Sequence, residues 1–278
     1  MEIGKDFKDL QSYNSAMGRA VDEKLFFLDK LDLDASDFCI VDFGCADGTV
    51  LQEIERRIPS KEGFYRGFVG FDISETMIKL AKERWSGQTY DVKFTSNWEE
   101  VRYAIALAKE KDIPVILLLS SVLHEVYSYG QKQDIETFWE RINNSQADVV
   151  VFRDMMWSTV YRNWDVGYWV EKIRYRYAKV LTTDYKLPEF EKKWGTIEVP
   201  NNLLHYLLKY QWQVNWEREN NEDYLPISLS QFLEKMRTTY EPSYLEHYVL
   251  PYLQRKVAQD WCIDLDVPTH LKAIFRRR

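Results

Sequence analysis

Apolar and polar positions change rhythm along the 278 residues. Within the first 36, Val21, Leu25, Leu28 and Leu31 recur at helical spacing in "AVDEKLFFLDKL" and predict a helix, which the Asp- and Ser-rich "DLDASDF" stops. From Phe38 to Met155, short apolar runs alternate with amphipathic ones. The runs "FCIVDF", "YRGFVGFD", "DVKFT", "PVILLLSS" and "ADVVVF" have the apolar character of strands buried in a helix-covered sheet. Between them, "TVLQEIERRI", "ETMIKLAKERW", "EEVRYAIALAKE" and "DIETFWERI" predict four helices. Such alternation predicts a parallel sheet built from right-handed crossovers.

The alternation stops between Met156 and Ser228. This stretch is aromatic-rich and mostly helix-like, with extended pieces at "TTDYKLP" and "WGTIEVPNN". Afterwards "LSQFLEKMRTTY" predicts a helix, and "YLEHYVLPYL" and "THLKAIFRR" predict two closing strands. The expected organisation is a helical lid over 1–36, an α/β core over 37–155, an insertion after the fifth strand over 156–228, and a closing helix and strands over 229–278.

Composition narrows the function classes. A net charge of -7 and an isoelectric point near 5.3 argue against a surface coated for nucleic acid. The longest apolar run, "IPVILLL", falls far short of the roughly 20 residues of a membrane helix. "MEIGKDFKDL" has neither the basic start nor the apolar stretch of a secretory leader. Three cysteines (Cys39, Cys45 and Cys262) make no disulfide framework and have no zinc-type spacing, so a reduced, cytoplasmic setting and no metal are expected.

Candidate chemistry begins where the first strand breaks into "DFGCADG". A glycine there lets the backbone turn sharply into the next helix, and a second, Gly48, lets a ligand approach the loop. Amides at the start of the helix at Thr49 point toward that ligand. With Ala46 between Gly44 and Gly48, the spacing is wrong for the dinucleotide fingerprint, which disfavours a nicotinamide-dependent oxidoreductase. The second predicted strand ends in Asp72, 30 residues after Asp42, and Ser74 is placed to cap the next helix. A carboxylate at that strand end suits two ribose hydroxyls.

These segments resemble class I S-adenosylmethionine-dependent methyltransferases. "DFGCADG" resembles the family's acidic-x-G-x-G-x-G motif, with Ala46 replacing the middle glycine, and "GFDISETMIKLAKER" resembles its second motif. The resemblance implies a Rossmann-like, doubly wound, mostly parallel seven-stranded sheet and S-adenosyl-L-methionine as cofactor. Asp42 would meet the cofactor's ammonium end, often through water. Gly44, Cys45, Ala46 and Gly48 would form the loop around its amino-acid portion, and Asp72 would take the ribose. Ile73 and Met77 would sandwich the adenine, while Ser96, Asn97 and Trp98 would face its amino group. "VILLLSSVLHEV" resembles the family's run after the fourth strand, placing Ser120 and Ser121 near the transferring methyl. Tyr13, Met17 and Arg19 would close over the cofactor from the lid.

Methyl transfer is an in-line displacement that needs a base only when the nucleophile keeps its proton. His124 and Glu125, after the fourth strand, are candidates, with His124 either a base or a loop anchor. Arg153 and Asp154, after the fifth, would hold substrate or form a strand-end ion pair. Trp157, Tyr161 and His205 are candidates for acceptor contact in the insertion, although His205 also reads as a structural histidine. No N/D-P-P-Y follows the fourth strand, and no radical-type cysteine cluster is present. The expected acceptor is an O or N nucleophile on a small molecule, a nucleotide or RNA. A non-catalytic, partner-binding subunit of the same fold is the alternative.

Overall fold

Residues 21–34, 36–58, 62–86, 91–158, 164–179 and 185–278 are described by the structure, a computed structural model. Tyr13, Met17, Arg19 and Tyr161 lie outside the described residues, so the expectations placed on them are not addressed. The elements in chain order are α1 (Val21–Lys24), β1 (Phe38–Phe43), α2 (Thr49–Arg57), β2 (Arg66–Phe71), α3 (Glu75–Arg84), β3 (Asp91–Thr95), α4 (Trp98–Glu110) and β4 (Val115–Ser120). There follow α5 (Leu123–Tyr129), α6 (Lys132–Asn143), β5 (Val149–Met155), α7 (Val166–Lys179), α8 (Leu187–Trp194), α9 (Pro200–Lys209) and α10 (Trp216–Glu219). The chain closes with α11 (Leu229–Met236), β6 (Tyr240–Tyr248), α12 (Pro251–Trp261) and β7 (His270–Arg277).

The seven strands lie in the order β3-β2-β1-β4-β5-β7-β6. The first five pair in parallel, while β7 runs antiparallel to both β5 and β6. The parallel part is what the alternating pattern predicts, and the whole is the Rossmann-like, mostly parallel seven-stranded sheet that the resemblance implies. Side chains of β1 alternate between the two faces. Phe38 and Ile40 join one core with α1, α2 and α3, and Cys39, Val41 and Phe43 join the other with α4, α6 and α11. Each large apolar side chain so buried contributes about 1.5–3 kcal/mol, which fixes the central strands from both sides. The strand order reverses between β1 and β4, and a crevice opens at their carboxyl ends, where ligands bind in such sheets.

A third core belongs to the inserted region. It joins α7, α8 and α9 to α12, with Trp169, Phe190, Tyr206, Tyr210 and Trp261 among its buried aromatics. The insertion's two ends meet: Trp157 and Ser228 form an isolated bridge, and the Leu229 amide donates to the Trp157 carbonyl at 2.9 Å.

Three local readings are corrected. "YLEHYVLPYL" is strand only to Tyr248, because Pro251 opens α12 at a position where a missing N–H costs nothing. "WGTIEVPNN" is the end of α8, a turn and the start of α9 rather than an extended segment. The described part of the N-terminal region holds only the single turn of α1 and a 3-10 turn at Phe26–Asp29. Among the described residues, no helix is long and apolar enough to cross a membrane.

Candidate functional site

The break after β1 is built by positive dihedrals and one carboxylate. Gly44 has φ +82°, Ala46 +46° and Gly48 +76°. The Gly44 and Cys45 amides donate to the Phe71 carbonyl at 2.7 and 3.0 Å, tying the turn to the end of β2. Asp72 completes the joint: one oxygen accepts from the Ala46 amide and the other from the Ser74 amide, each at 2.9 Å. Burial holds this carboxyl above its ordinary value, and the two amide bonds oppose that rise. Ser74 caps α3, accepting from the Met77 amide at 3.3 Å.

Two cavities meet at this turn. The first, of about 400 Å³, is walled by Asp72, Ile73, Met77 and Val122, with Phe138 and Arg141 of α6 opposite. Ile73 leaves 52 % of its surface exposed, an apolar side chain presented at a strand end. The second, of about 500 Å³, is walled by Ser120, Ser121 and His124 on the core side and by Trp212, Glu222 and Tyr224 from the insertion. Gly44, Ala46, Asp72, Val122, Glu125 and Arg218 line both. A third pocket of about 20 Å³ lies behind the turn, where Asp42, Cys45 and Ser120 meet Lys24 of α1. Asp42 is 2 % exposed, and its Oδ2 has no hydrogen-bond partner among the described residues; neither has the Ser120 hydroxyl.

Other candidates line neither of the first two cavities. Gly48 turns the backbone, and a Cβ there would sit 3.0 Å from Phe94 and 3.1 Å from the Trp85 ring, so its bareness is required by packing. Cys45 is buried, and burial pushes its thiol well above its ordinary value. Ser96, Asn97 and Trp98 line a separate open cleft. There Asn97 caps α4 by accepting from the Glu99 amide at 3.0 Å, and the Trp98 ring lies 5.4 Å from Phe43 and 5.3 Å from Phe71. Arg153 lies beneath the site and donates to the Ser121 hydroxyl at 3.1 Å. His205 stands behind Tyr224, accepting its amide proton at 3.2 Å between the Phe190 and Trp194 rings. Trp157 is taken up in the bridge at the insertion's root.

A polar cluster divides the two larger cavities. His124 Nδ1 is 2.8 Å from Asp154 Oδ1, and its Nε2 is 3.8 Å from Glu222. The Leu123 amide also donates to Asp154, at 2.9 Å. These carboxylates outweigh burial and push the His124 imidazole up to about 9, so it is charged at neutral pH. Asp154 is held below its ordinary value by the same pairing. Glu125 accepts from Arg218 at 2.9 Å, and Arg218 also meets Glu222 at 3.0 Å. Burial lifts Glu125 to about 7, although 24 % of its side chain stays exposed at the cavity walls. Tyr129 donates to Glu222 at 2.9 Å, and the Tyr224 ring stands edge-on to His124 at 5.4 Å.

Lys24, Tyr129, Arg218, Glu222 and Tyr224 were not among the sequence-based candidates. The only sequence signal for the last three is the run "WERENNEDY", a dense charged stretch in an otherwise aromatic region.

No family model matches the chain, and no curated protein matches it. Among solved structures it is similar to a SAM-dependent methyltransferase from Anabaena variabilis, 11 % identical over 94 % of this chain and 85 % of that one, with a TM-score of 0.49. It is also similar to a cyclopropane synthase from Mycobacterium tuberculosis, 11 % identical over 97 % and 86 %, TM-score 0.47. A third similar structure is an S-adenosylmethionine-dependent methyltransferase from Mesorhizobium loti, 14 % identical over 95 % and 98 %, TM-score 0.45.

Proposed function

We propose that the chain is an S-adenosylmethionine-dependent methyltransferase acting on an O or N nucleophile, and that it works in the cytoplasm. One observation supports this most: two cavities meet at the Gly44–Ala46 turn, against Asp72, over a buried Asp42 oxygen that lacks a hydrogen-bond partner among the described residues. The residues present fit the cofactor. Asp72 keeps lone pairs for ribose hydroxyls, Ile73, Met77 and Val122 offer apolar faces to a base, and Asp42 offers an unmet acceptor to an ammonium. When bound, S-adenosylmethionine supplies an electrophilic methyl group on its sulfonium.

The second cavity then takes the acceptor. Its volume suits a small molecule or a single nucleotide, the latter free or at an RNA end. Glu125, at the boundary of the two cavities, is the group poised to remove a proton, since its carboxyl titrates near neutrality. His124 is already protonated there and cannot serve as that base; it orients and donates. Arg218 and Tyr224 bring the insertion over the reacting centre and exclude water.

Titration calorimetry with S-adenosylhomocysteine and with NADH tests the cofactor. Asp72→Ala is expected to weaken S-adenosylhomocysteine binding by about 10- to 100-fold. An unchanged dissociation constant, or preference for NADH, sinks the reading. Labelled methyl transfer onto a cell extract fractionated into RNA, protein and metabolites identifies the acceptor.

A further inference from the structure

Glu222 is held from two sides. Its carboxylate accepts from Tyr129 at 2.9 Å, pairs with Arg218 at 3.0 Å and stands 3.8 Å from His124. Its backbone carbonyl accepts from Lys209 Nζ. Lys209, the last residue of α9, is fully buried and lines neither of the two larger cavities. Its Nζ also donates to the Glu219 carbonyl at 2.6 Å, and it lies 4.8 and 4.6 Å from the centres of the Trp194 and Tyr224 rings.

The two carbonyls bracket the turn that follows α10, and this short stretch carries Arg218, Glu222 and Tyr224. Helix α9 grips it again one turn earlier, where His205 accepts the Tyr224 amide proton. Trp194 of α8 donates to the Asn220 carbonyl at 3.0 Å. From the core side, the Ser128 hydroxyl of α5 accepts from the Asp223 amide at 2.6 Å. Burying an amine is costly, and an apolar side chain would fill the space without that cost. What the amine supplies is N–H bonds to two carbonyls that would otherwise go unmet. Burial pushes Lys209 down to about 7; Glu222, Glu219 and Asp223 oppose the fall and Lys193 adds to it. Charged or neutral, the amine keeps N–H groups for both carbonyls, so the grip outlasts its titration.

We propose that Lys209 is a positioning residue for the polar cluster: its grip on the Glu219 and Glu222 carbonyls sets Arg218 and Glu222 against Glu125. In its effect on turnover the proposal rests on the methyltransferase reading. Glu125 reports on the grip, because it faces Arg218 and Glu222 from the insertion, His124 beside it on α5, and Asp72 after β2. If the turn slips away, water enters and Glu222 withdraws, and both changes lower the Glu125 carboxyl. The loss of Arg218 opposes them, but burial is the largest influence, so the net change is a fall.

Carboxylate NMR titration of the full chain in Lys209→Met and Lys209→Gln tests the grip. Met and Gln have side chains of one length, a bond shorter than Lys; Gln keeps two N–H donors and Met none. Glu125 is expected to titrate about one pH unit or more below its wild-type value in Lys209→Met, and between the two in Lys209→Gln. A wild-type titration in folded Lys209→Met overturns the proposal, since a merely structural lysine would cost stability alone. If circular dichroism shows that Lys209→Met does not fold, Lys209→Gln decides in the same way. Failure of both to fold overturns the positioning role in favour of a structural one. Labelled methyl transfer onto the extract fraction that the wild type modifies is expected to level at lower pH in Lys209→Met, at about a tenth of the wild-type rate. Unchanged transfer beside a moved titration overturns the positioning role and leaves the cofactor reading standing. A wild type that binds no S-adenosylhomocysteine in calorimetry overturns the methyltransferase reading, and the titration still decides the grip.

Discussion

His124 and Asp154 are joined at 2.8 Å in a buried pair that the backbone of α5 reinforces. The imidazole binds its proton more tightly in the folded chain than its ordinary value of 6.5 would allow. The pair's contribution to stability is therefore complete below about pH 6.5 and is lost as pH rises through about 9. It amounts to at most about 3 kcal/mol, counted once for the pair. Denaturant melts between pH 6 and 9.5 check the trend. In Asp154→Asn, NMR titration is expected to find His124 well below its wild-type value, because burial remains and only the more distant Glu222 and Glu125 still oppose it.

On the proposed mechanism, Glu125 is expected to set the pH dependence of turnover. Its carboxyl must be ionised to accept a proton, so the rate is expected to rise about tenfold per pH unit on the acid side and to level near pH 7. Glu125→Gln is expected to remove this limb and lower kcat by about 100-fold. A profile unchanged in Glu125→Gln would assign the limb elsewhere.

Gly44 tolerates no side chain. A Cβ there would lie 2.9 Å from Val122 Cγ2, on a backbone at φ +82°. Gly44→Ala is expected to cost about 1–3 kcal/mol in urea melts. Adding Val122→Ala is expected to recover only part of this, because the smaller neighbour relieves the contact and leaves the dihedral strained.

Arg218 fastens the insertion to the core through Glu125 and Glu222. Arg218→Met leaves two carboxylates without their cation and is expected to cost about 3–5 kcal/mol. Hydrogen exchange should quicken first in α5 and around residues 216–224. The triple change with Glu125→Gln and Glu222→Gln should restore most of the protection, as no uncompensated charge remains.

The parallel half of the sheet is legible in the sequence because its strands, apolar on both faces, are separated by amphipathic helices. Asp72 and Ser74 are legible for a related reason: a strand end and a helix cap each carry a local signature. Gly48 is ambiguous in the sequence, since a glycine needed for packing against Trp85 and Phe94 looks the same as one that admits a ligand. The start of α12 is masked by "VLPYL", whose apolar residues suit a strand as well as a helix. The dividing cluster is illegible because its bonds span the chain: Arg218 and Glu125 are 93 residues apart, as are Tyr129 and Glu222. No local pattern encodes a pair at that separation. Lys24 is hidden differently, as a lysine among helical positions that ordinarily face solvent.

Because α12 is spliced in between β6 and β7 yet packs with α7, α8 and α9, the aromatic cap is rooted at two separate points on the sheet edge. A flap on a single stalk can twist in any direction. A cap held at both roots is braced against twisting, and the side chains it carries over the crevice, Trp212, Arg218 and Tyr224, share that one anchorage.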